Sequence, residues 1–354
     1  MTEAYIKLGE IATYINGYAF KPKDRGREGL PIIRIQDLTG NSNDKGFYKG
    51  KYPSKIEINN GDILISWSAS LGVYIWNSGR ALLNQHIFKV VFDKKAIDRD
   101  YFVYAVQFSL NKMKQLTHGA TMKHVVKKDF ENVSIPYPSL TEQRKIACIL
   151  DKLKKSMSKR LQELKKLDEL IKARFVEMFG DPVNNSKDQP VDKFINIVKL
   201  QRGFDLPVKK RDSTGKIPVF GSNGIVGYHT EAKAKNGIIT GRSGTIGKVY
   251  RKSGEYWPLN TSLFSVDTHG NNIIFLQVLM QLFHLERFYN GAGVPTLNRN
   301  DVHRQKIIKI SLDKQNEFAN FVQQVDKSKF ENIVYLNKTL SSKILSQLGD
   351  AIRD

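Results

Sequence analysis

Lys7-Leu8-Gly9-Glu10-Ile11-Ala12, leading to Asn16-Gly17-Tyr18-Ala19-Phe20, returns 186 residues later as Lys193-Phe194-Ile195-Asn196-Ile197-Val198, leading to Arg202-Gly203-Phe204-Asp205-Leu206. The echo then continues in order. Asn60-Gly61-Asp62-Ile63-Leu64-Ile65 answers to Asn236-Gly237-Ile238-Ile239-Thr240, and Leu83-Asn84-Gln85-His86-Ile87-Phe88-Lys89-Val90 to Leu259-Asn260-Thr261-Ser262-Leu263-Phe264-Ser265-Val266. Aromatic-rich helical stretches follow at 101–116 and 273–289, then the Gly-rich loops His118–Lys123 and Asn290–Asn298, a short apolar strand and a long heptad-like helix. The offset drifts only from 186 to 172. Chance matches do not keep order over so many elements, so the pattern predicts a duplicated chain. The alternative is two unrelated α+β domains with ordinary Asn-Gly turns.

Two segments stand apart. Residues 141–179 carry apolar positions at Ile146, Leu150, Leu153, Met157, Leu161, Leu164, Ile171, Phe175 and Met178. Residues 313–348 carry them at Phe318, Val322, Val325, Ile333, Leu336, Leu340, Ile344 and Leu348. Spacings of three and four give each helix one apolar seam. Thr141 offers a weak cap and Asp313 a better one. Phe179-Gly180-Asp181-Pro182 stops the first helix, and the polar run 183–190 reads as a linker. A helix of about 38 residues is roughly 55 Å long. Each seam could pack on its own domain, but a small domain cannot cover that length, so the expected partner is the other helix, antiparallel. The expected fold is therefore α+β: similar globular halves at 1–139 and 183–311, with spacer helices at 140–182 and 312–354.

Length and composition agree. A chain of 354 residues holds two or three domains. With 40% hydrophobic and 26% charged residues it reads as globular rather than disordered. Lys plus Arg is 56 and Asp plus Glu 35, a net charge of +21, which favours a polyanionic partner. The one cysteine, Cys148, excludes an internal disulfide and any multi-cysteine zinc site, and predicts a cytoplasmic chain. The start lacks a basic stretch followed by an apolar one. The most apolar run, Ile273–Leu285, is broken by Gln277, Gln281 and His284 and is too short for the about 20 residues a bilayer needs. No membrane association is expected.

Catalytic signatures are missing. Gly241-Arg-Ser-Gly-Thr-Ile-Gly-Lys248 differs from a phosphate loop in spacing and has Val249 where a Mg²⁺-binding Ser or Thr would stand. Histidines 86, 118, 124, 229, 269, 284 and 303 form no His-x-x-x-His or His-Glu-x-x-His pair, so no metal site is expected. Glu163-Leu-Lys165 lies inside the heptad helix, where it reads as a solvated face. No Rossmann glycine motif, Asn/Asp-Pro-Pro-Tyr run or methyl-donor loop is present, so no catalytic residue is assigned.

What the loops do hold is chemistry that reads nucleic acid. The first half offers Arg34, Gln36, Trp67, Ser68, Ser70, the run Asn84-Gln85-His86, Thr121, Lys123 and His124. The second offers Arg202, Ser222, Asn223, Tyr228, His229, Arg242, Ser243, Thr245, Lys248, Asn260, Asn298 and Arg299. Arg can bridge guanine O6 and N7, Asn or Gln adenine N6 and N7, while Ser, Thr and Lys chiefly hold phosphates. The bland reading makes the Ser-Gly and Asn-Gly runs plain turns, and Trp67 and Tyr228 core. Ser66-Trp67-Ser68-Ala69-Ser70-Leu71-Gly72 differs from Thr240-Gly-Arg-Ser-Gly-Thr-Ile-Gly247, so two readers would read different sequences.

The whole layout resembles the DNA-specificity subunit of type I restriction–modification systems. The resemblance is carried by Leu8-Gly9-Glu10-Ile11 with Gly17 and Phe20, by Ile135-Pro136, and by Glu142-Gln143-Arg144-Lys145-Ile146-Ala147 with Leu150. It continues in the Phe179-Gly180-Asp181-Pro182 exit and in Gln315-Asn316-Glu317-Phe318-Ala319 with Val322. It implies two target-recognition domains on double-stranded DNA, with the helices as a spacer that docks two methyltransferase subunits. Those partners bind S-adenosylmethionine and methylate adenine N6; motor–nuclease subunits join for cleavage. The chain itself is then non-catalytic and without a cofactor. Gln189-Pro190-Val191 stands where many members have a Trp, Lys314 replaces a Glu before Gln315, and the end soon after Leu348 leaves a short closing tail or none. The rival expectations are a stand-alone methyltransferase or nuclease, and a coiled-coil adaptor for nucleic acid or acidic protein.

Overall fold

Leu8 and Phe194 each open a one-turn helix after a three-residue strand, and from there the two halves share most of their elements in the same order. The computed structural model describes residues 5–42, 44–68, 71–116, 127–212, 214–290 and 293–340. The first half contains β1 (Tyr5–Lys7), α1 (Leu8–Ile11), β2 (Thr13–Asn16), β3 (Leu30–Ile33), α2 (Ile35–Thr39), β4 (Gly46–Tyr48), β5 (Glu57–Ile58), β6 (Ile63–Ser66), β7 (Gly72–Ile75), β8 (Ala81–Leu83), β9 (Ile87–Val91), α3 (Arg99–Leu116), α4 (Lys127–Glu131), β10 (Ser134–Pro136) and the long α5 (Leu140–Phe179). The second contains β11 (Val191–Lys193), α6 (Phe194–Ile197), β12 (Lys199–Arg202), β13 (Ile217–Gly221), β14 (Gly224–His229), β15 (Ala234–Gly241), β16 (Val249–Pro258), β17 (Ser262–Asp267), α7 (Ile273–Leu282), β18 (Tyr289–Asn290), β19 (Thr296–Leu297), α8 (Arg299–His303), β20 (Lys306–Ile308) and the long α9 (Leu312–Leu340). The fold is α+β, and packing divides it into two compact units, the second made of Lys159–Leu336.

Pairings match strand for strand. In each unit the first and last strands form an antiparallel ribbon, β1 with β10 and β11 with β20. Asn16 faces Phe88, and Arg202 faces Leu263. A parallel pair recurs, Ile32 beside Leu82 and Val219 beside Trp257. The sheets differ in one respect. The first unit has two four-stranded sheets, whereas the second has one of six strands, because β15 runs unbroken through the place of β5 and β6, and β16 through that of β7 and β8.

Alternating apolar residues then fill equivalent cores. Leu8, Ile11, Tyr14, Ile65, Phe88, Phe102, Phe130 and Ile135 pack together in the first unit; Phe194, Ile197, Leu200, Ile238, Phe275, Leu279 and Ile308 do so in the second. Of the apolar run Ile273–Leu285, Ile273–Leu282 is helical; it buries Phe275, Leu276, Val278, Leu279 and Met280, and Gln277 and Gln281 both donate to the Val249 carbonyl. Run 183–190, read as a linker, is turned on itself: Asn185 accepts from the Gln189 N–H at 2.9 Å and donates to its carbonyl at 2.8 Å.

The long helices are fastened by one device used twice. Gln143 is buried; its Oε1 accepts the Asp98 N–H at 2.8 Å and its Nε2 donates to the Pro138 carbonyl at 2.8 Å. Gln315, equally buried, accepts the Asn272 N–H at 2.9 Å and donates to the Ile310 carbonyl at 2.8 Å and to Asn271 Oδ1 at 2.7 Å. Asp98 and Asn272 themselves cap the helix that follows, so cap and clamp are joined. The start of α5 departs from expectation. Its cap is Ser139, not Thr141, and Ser139 and Glu142 close a capping box, with the Ser139 N–H donating to Glu142 at 2.9 Å and the Glu142 N–H to Ser139 Oγ at 3.3 Å. Asp313 lies in the first turn of α9 and does not cap it.

Within the second unit α5 and α9 pack antiparallel. Phe175 meets Phe318 edge-on at 5.4 Å, Lys329 pairs with Asp168 at 2.7 Å, and Arg160 lies over Tyr335 at 4.7 Å while donating to Asn332 at 3.0 Å. Ile171, Phe175, Phe318, Val322 and Val325 belong at once to this seam and to the unit's core, so the two expected modes of packing coexist. Ile146 packs on the first unit's core, and Leu150, Leu153, Met157 and Leu164 are half-buried. Leu161 and Ile333 stand outside the seam, 57% and 44% exposed. Arg160, Asn332 and Tyr335 fill the place instead. The side chains of Leu336 and Leu340, and all of Ile344 and Leu348, lie outside the described residues.

Two predictions follow from this packing. Gln143→Ala and Gln315→Ala each orphan a buried N–H and carbonyl, and each lowers the unfolding free energy by about 1–3 kcal/mol in urea titrations. His303 Nε2 accepts the Leu200 N–H at 2.9 Å, so the ring must be neutral there. Burial, then Arg299 and Lys199, lower its pKa from the usual 6.5. The unfolded chain is thus protonated first as pH falls. The bond's contribution is whole above about pH 6.5 and is lost as pH drops through the lower folded value. Urea unfolding at pH 7.5 and 5.5 gives the slope, and His303→Gln, which keeps an acceptor, flattens it.

Candidate nucleic-acid interface

Gly17 and Gly203 set the geometry at the strand ends. A Cβ on Gly17 would lie 2.0 Å from the Asn84 carbonyl oxygen, and one on Gly203 2.2 Å from that of Leu259. Only glycine permits that approach. Around it the same backbone bonds recur. Tyr18 N–H donates to the Leu83 carbonyl, Gln85 N–H to Tyr18, and Trp67 N–H to His86. In the second unit Phe204 donates to Pro258, Asn260 to Phe204, and Arg242 to Thr261. These bonds correct the repeat by one residue: Leu83 corresponds to Pro258, Asn84 to Leu259, and Gln85, not Asn84, to Asn260. His86, at φ 72, takes the place of Thr261.

The equivalent rims carry different groups. Trp67 stacks on Phe88 at 5.6 Å and meets His86 edge-on at 4.8 Å, so it is both core and rim. At the corresponding position Arg242 donates Nε to the Asn260 carbonyl at 2.8 Å; burial, then Arg202, lowers its pKa. Beside Asn260, a cleft of about 380 Å³ is lined by Asp205, Arg211, Ser222, Asn223 and Thr261. Asn260 Nδ2 donates to Asp205, Arg202 lies 3.9 Å from Asp205, and Lys248 donates to Asn223 at 2.6 Å. Ser243 is tied to Thr261 through its backbone, and the Thr245 carbonyl packs where a Cβ on Gly241 would be.

Other candidates lie further out or have structural work. Arg34 spends its donors on Asp37, on Ser42 at 3.1 Å and on the Asp44 carbonyl, bracing its loop. Gln36 is exposed on α2, and Ser68 is half-buried. Asn298 caps α8 through the Asn300 N–H, and Arg299 is exposed beside it. Tyr228 is exposed, while the His229 ring sits 5.2 Å from Trp257. Ser70, Thr121, Lys123 and His124 lie outside the described residues. The sequence reading missed the ladder of Tyr18, Phe20 and Tyr48, with ring centroids 5.0 and 5.1 Å apart. In sequence it is interleaved with Lys21, Lys23, Arg25, Arg27 and Lys49, which was the available signal, although Arg25 pairs with Asp44 and Lys49 with Glu28. Among the described residues no acidic, His or Cys cluster could hold a metal, and no helix is long and apolar enough to cross a membrane.

Comparison with known proteins gives the family. Residues 3–166 and 193–341 match the type I restriction modification DNA specificity domain. The chain is 28% identical over 170 residues to the type I restriction enzyme EcoBI specificity subunit of Escherichia coli, covering 47% of this chain and 35% of that one. It is 34% identical over 168 residues to the MjaVIII specificity subunit of Methanocaldococcus jannaschii, covering 46% and 39%. The matches thus span well under half of those relatives. In fold it is similar to the type I system S subunit from M. genitalium, at a TM-score of 0.59 and 15% identity over 99% of this chain and 96% of that one. A chain from a structure on complex assembly and conformational transition of the type I R-M system gives 0.57 and 14%, over 97% and 96%. With both halves matched in sequence and both built alike, the chain belongs to the type I restriction modification DNA specificity domain family.

Proposed function

We propose that this chain is the sequence-specific DNA-binding subunit of a type I restriction–modification assembly. Each unit grips one part of a split, asymmetric duplex site. The observation that carries the reading is the pair of equivalent rims with unequal side chains: Trp67, Gln85 and His86 against Arg242, Asn260 and Thr261. Two frames of one design with different groups at the same positions suit two different half-sequences. The net charge of +21 supplies non-specific attraction to the phosphate backbone.

The long helices act as a ruler between half-sites and as the dock for two methyltransferase subunits. Those partners bind S-adenosylmethionine and methylate adenine N6 after taking the base out of the stack, which costs a few kcal/mol. Motor–nuclease subunits join for cleavage. This chain holds no cofactor of its own in that scheme, and it works in the cytoplasm, where the DNA is.

Two measurements test this. Methylation is mapped on genomic DNA with the chain and its methyltransferase partners. Four residues inserted after Lys159, with four after Leu336 to preserve the antiparallel pairing, lengthen the ruler by about 6 Å, near two base-pair steps. The spacer in the methylated site changes while both half-sequences stay; an unchanged spacer removes the ruler. Affinity for the cognate duplex, followed by fluorescence anisotropy, falls about a thousandfold or more between 50 and 200 mM salt.

A further inference from the structure

Arg242 is held on three sides. Its N–H donates to the Thr261 carbonyl at 2.9 Å, its carbonyl accepts the Leu297 N–H at 2.7 Å, and its Nε donates to the Asn260 carbonyl at 2.8 Å. Nη1 and Nη2 have no hydrogen-bond partner among the described residues. Asp205, the neighbouring carboxylate, is engaged by Asn260 Nδ2 and by Arg202. The result is a rigid guanidinium with its two terminal nitrogens unspent, half-buried beside the cleft of Ser222, Asn223 and Thr261. A fixed fork of this kind matches O6 and N7 of guanine in the major groove.

A phosphate could also accept such a fork. The comparison of the two units decides between them. Both must hold a phosphate backbone, so a phosphate contact at this position would be wanted in each. The first unit instead has Trp67 there, with its N–H bonded to the His86 carbonyl as Arg242 is bonded to Thr261. A position that changes chemistry on an unchanged frame is suited to reading sequence.

We propose that Arg242 reads a guanine in the half-site gripped by the second unit, and that no guanine is read in this way at the Trp67 position. The inference rests on the DNA-recognition reading above. The full chain with its methyltransferase partners is used to select duplexes from a randomised library, and the bound fraction is sequenced. The wild type selects a guanine at one position of one half-site. Arg242→Gln loses that preference at that position alone, by about 5- to 100-fold, and keeps the other half-site, which also shows the variant is folded. Arg242→Lys keeps a weaker preference for the same base. Where Arg242→Gln fails to fold, 7-deazaguanine at the selected position supplies the test, because it lacks N7 and weakens binding of the wild type.

A uniform loss across all sequences, with a shallower salt dependence, identifies a phosphate contact and overturns the assignment. A guanine preference that survives Arg242→Gln, or tolerance of 7-deazaguanine, overturns it while leaving DNA recognition standing. A wild type that selects no sequence overturns both.

Discussion

A buried glutamine holds each long helix to the body from which it grows. Gln143 and Gln315 are too polar to sit in a core without partners; each accepts the N–H of a capping residue, Asp98 or Asn272, and donates to a carbonyl just before its own helix, Gln315 also to Asn271 Oδ1. Removing the amide strands those groups; displacing the helix does the same. The exit direction of a helix many turns long is therefore fixed within its first turn.

On that shared frame the two units diverge only where divergence costs little. The glycines at 17 and 203, the ribbons and the parallel strand pairs are common property. The rim between them carries tryptophan, glutamine and histidine in one unit and arginine, asparagine and threonine in the other. Apart from Trp67, which also packs on the core, these side chains lie at the ends of strands, where a substitution asks for less repacking than in a core.

Much of this was legible in the sequence, because the signals are local. Heptad spacing gave both helices, and the Gly180 stop, at φ +83, stands where the pattern puts it. Three features escaped. The Ser139–Glu142 capping box is spelled out in the chain, but Thr141 was read in its place. The one-residue slip between Leu83 and Pro258 is invisible without the bonds that Tyr18 and Phe204 make across the strand ends. Leu161 and Ile333 fit a heptad on paper but stand exposed, while Arg160, Asn332 and Tyr335 make the contact between the helices there. At the interface, residue types were readable while their commitments were not. Arg34 looks like a reader until its bonds to Asp37, Ser42 and the Asp44 carbonyl are seen.

The ribbons β1–β10 and β11–β20 bring the chain into and out of the globular part of each unit at a single doorway. Every candidate interface residue is strung between the two leaves of that door. A recombination event with breakpoints in the two leaves would replace one whole reader and leave the hinge untouched. The path of the backbone thus makes each globular half a part that could be exchanged whole.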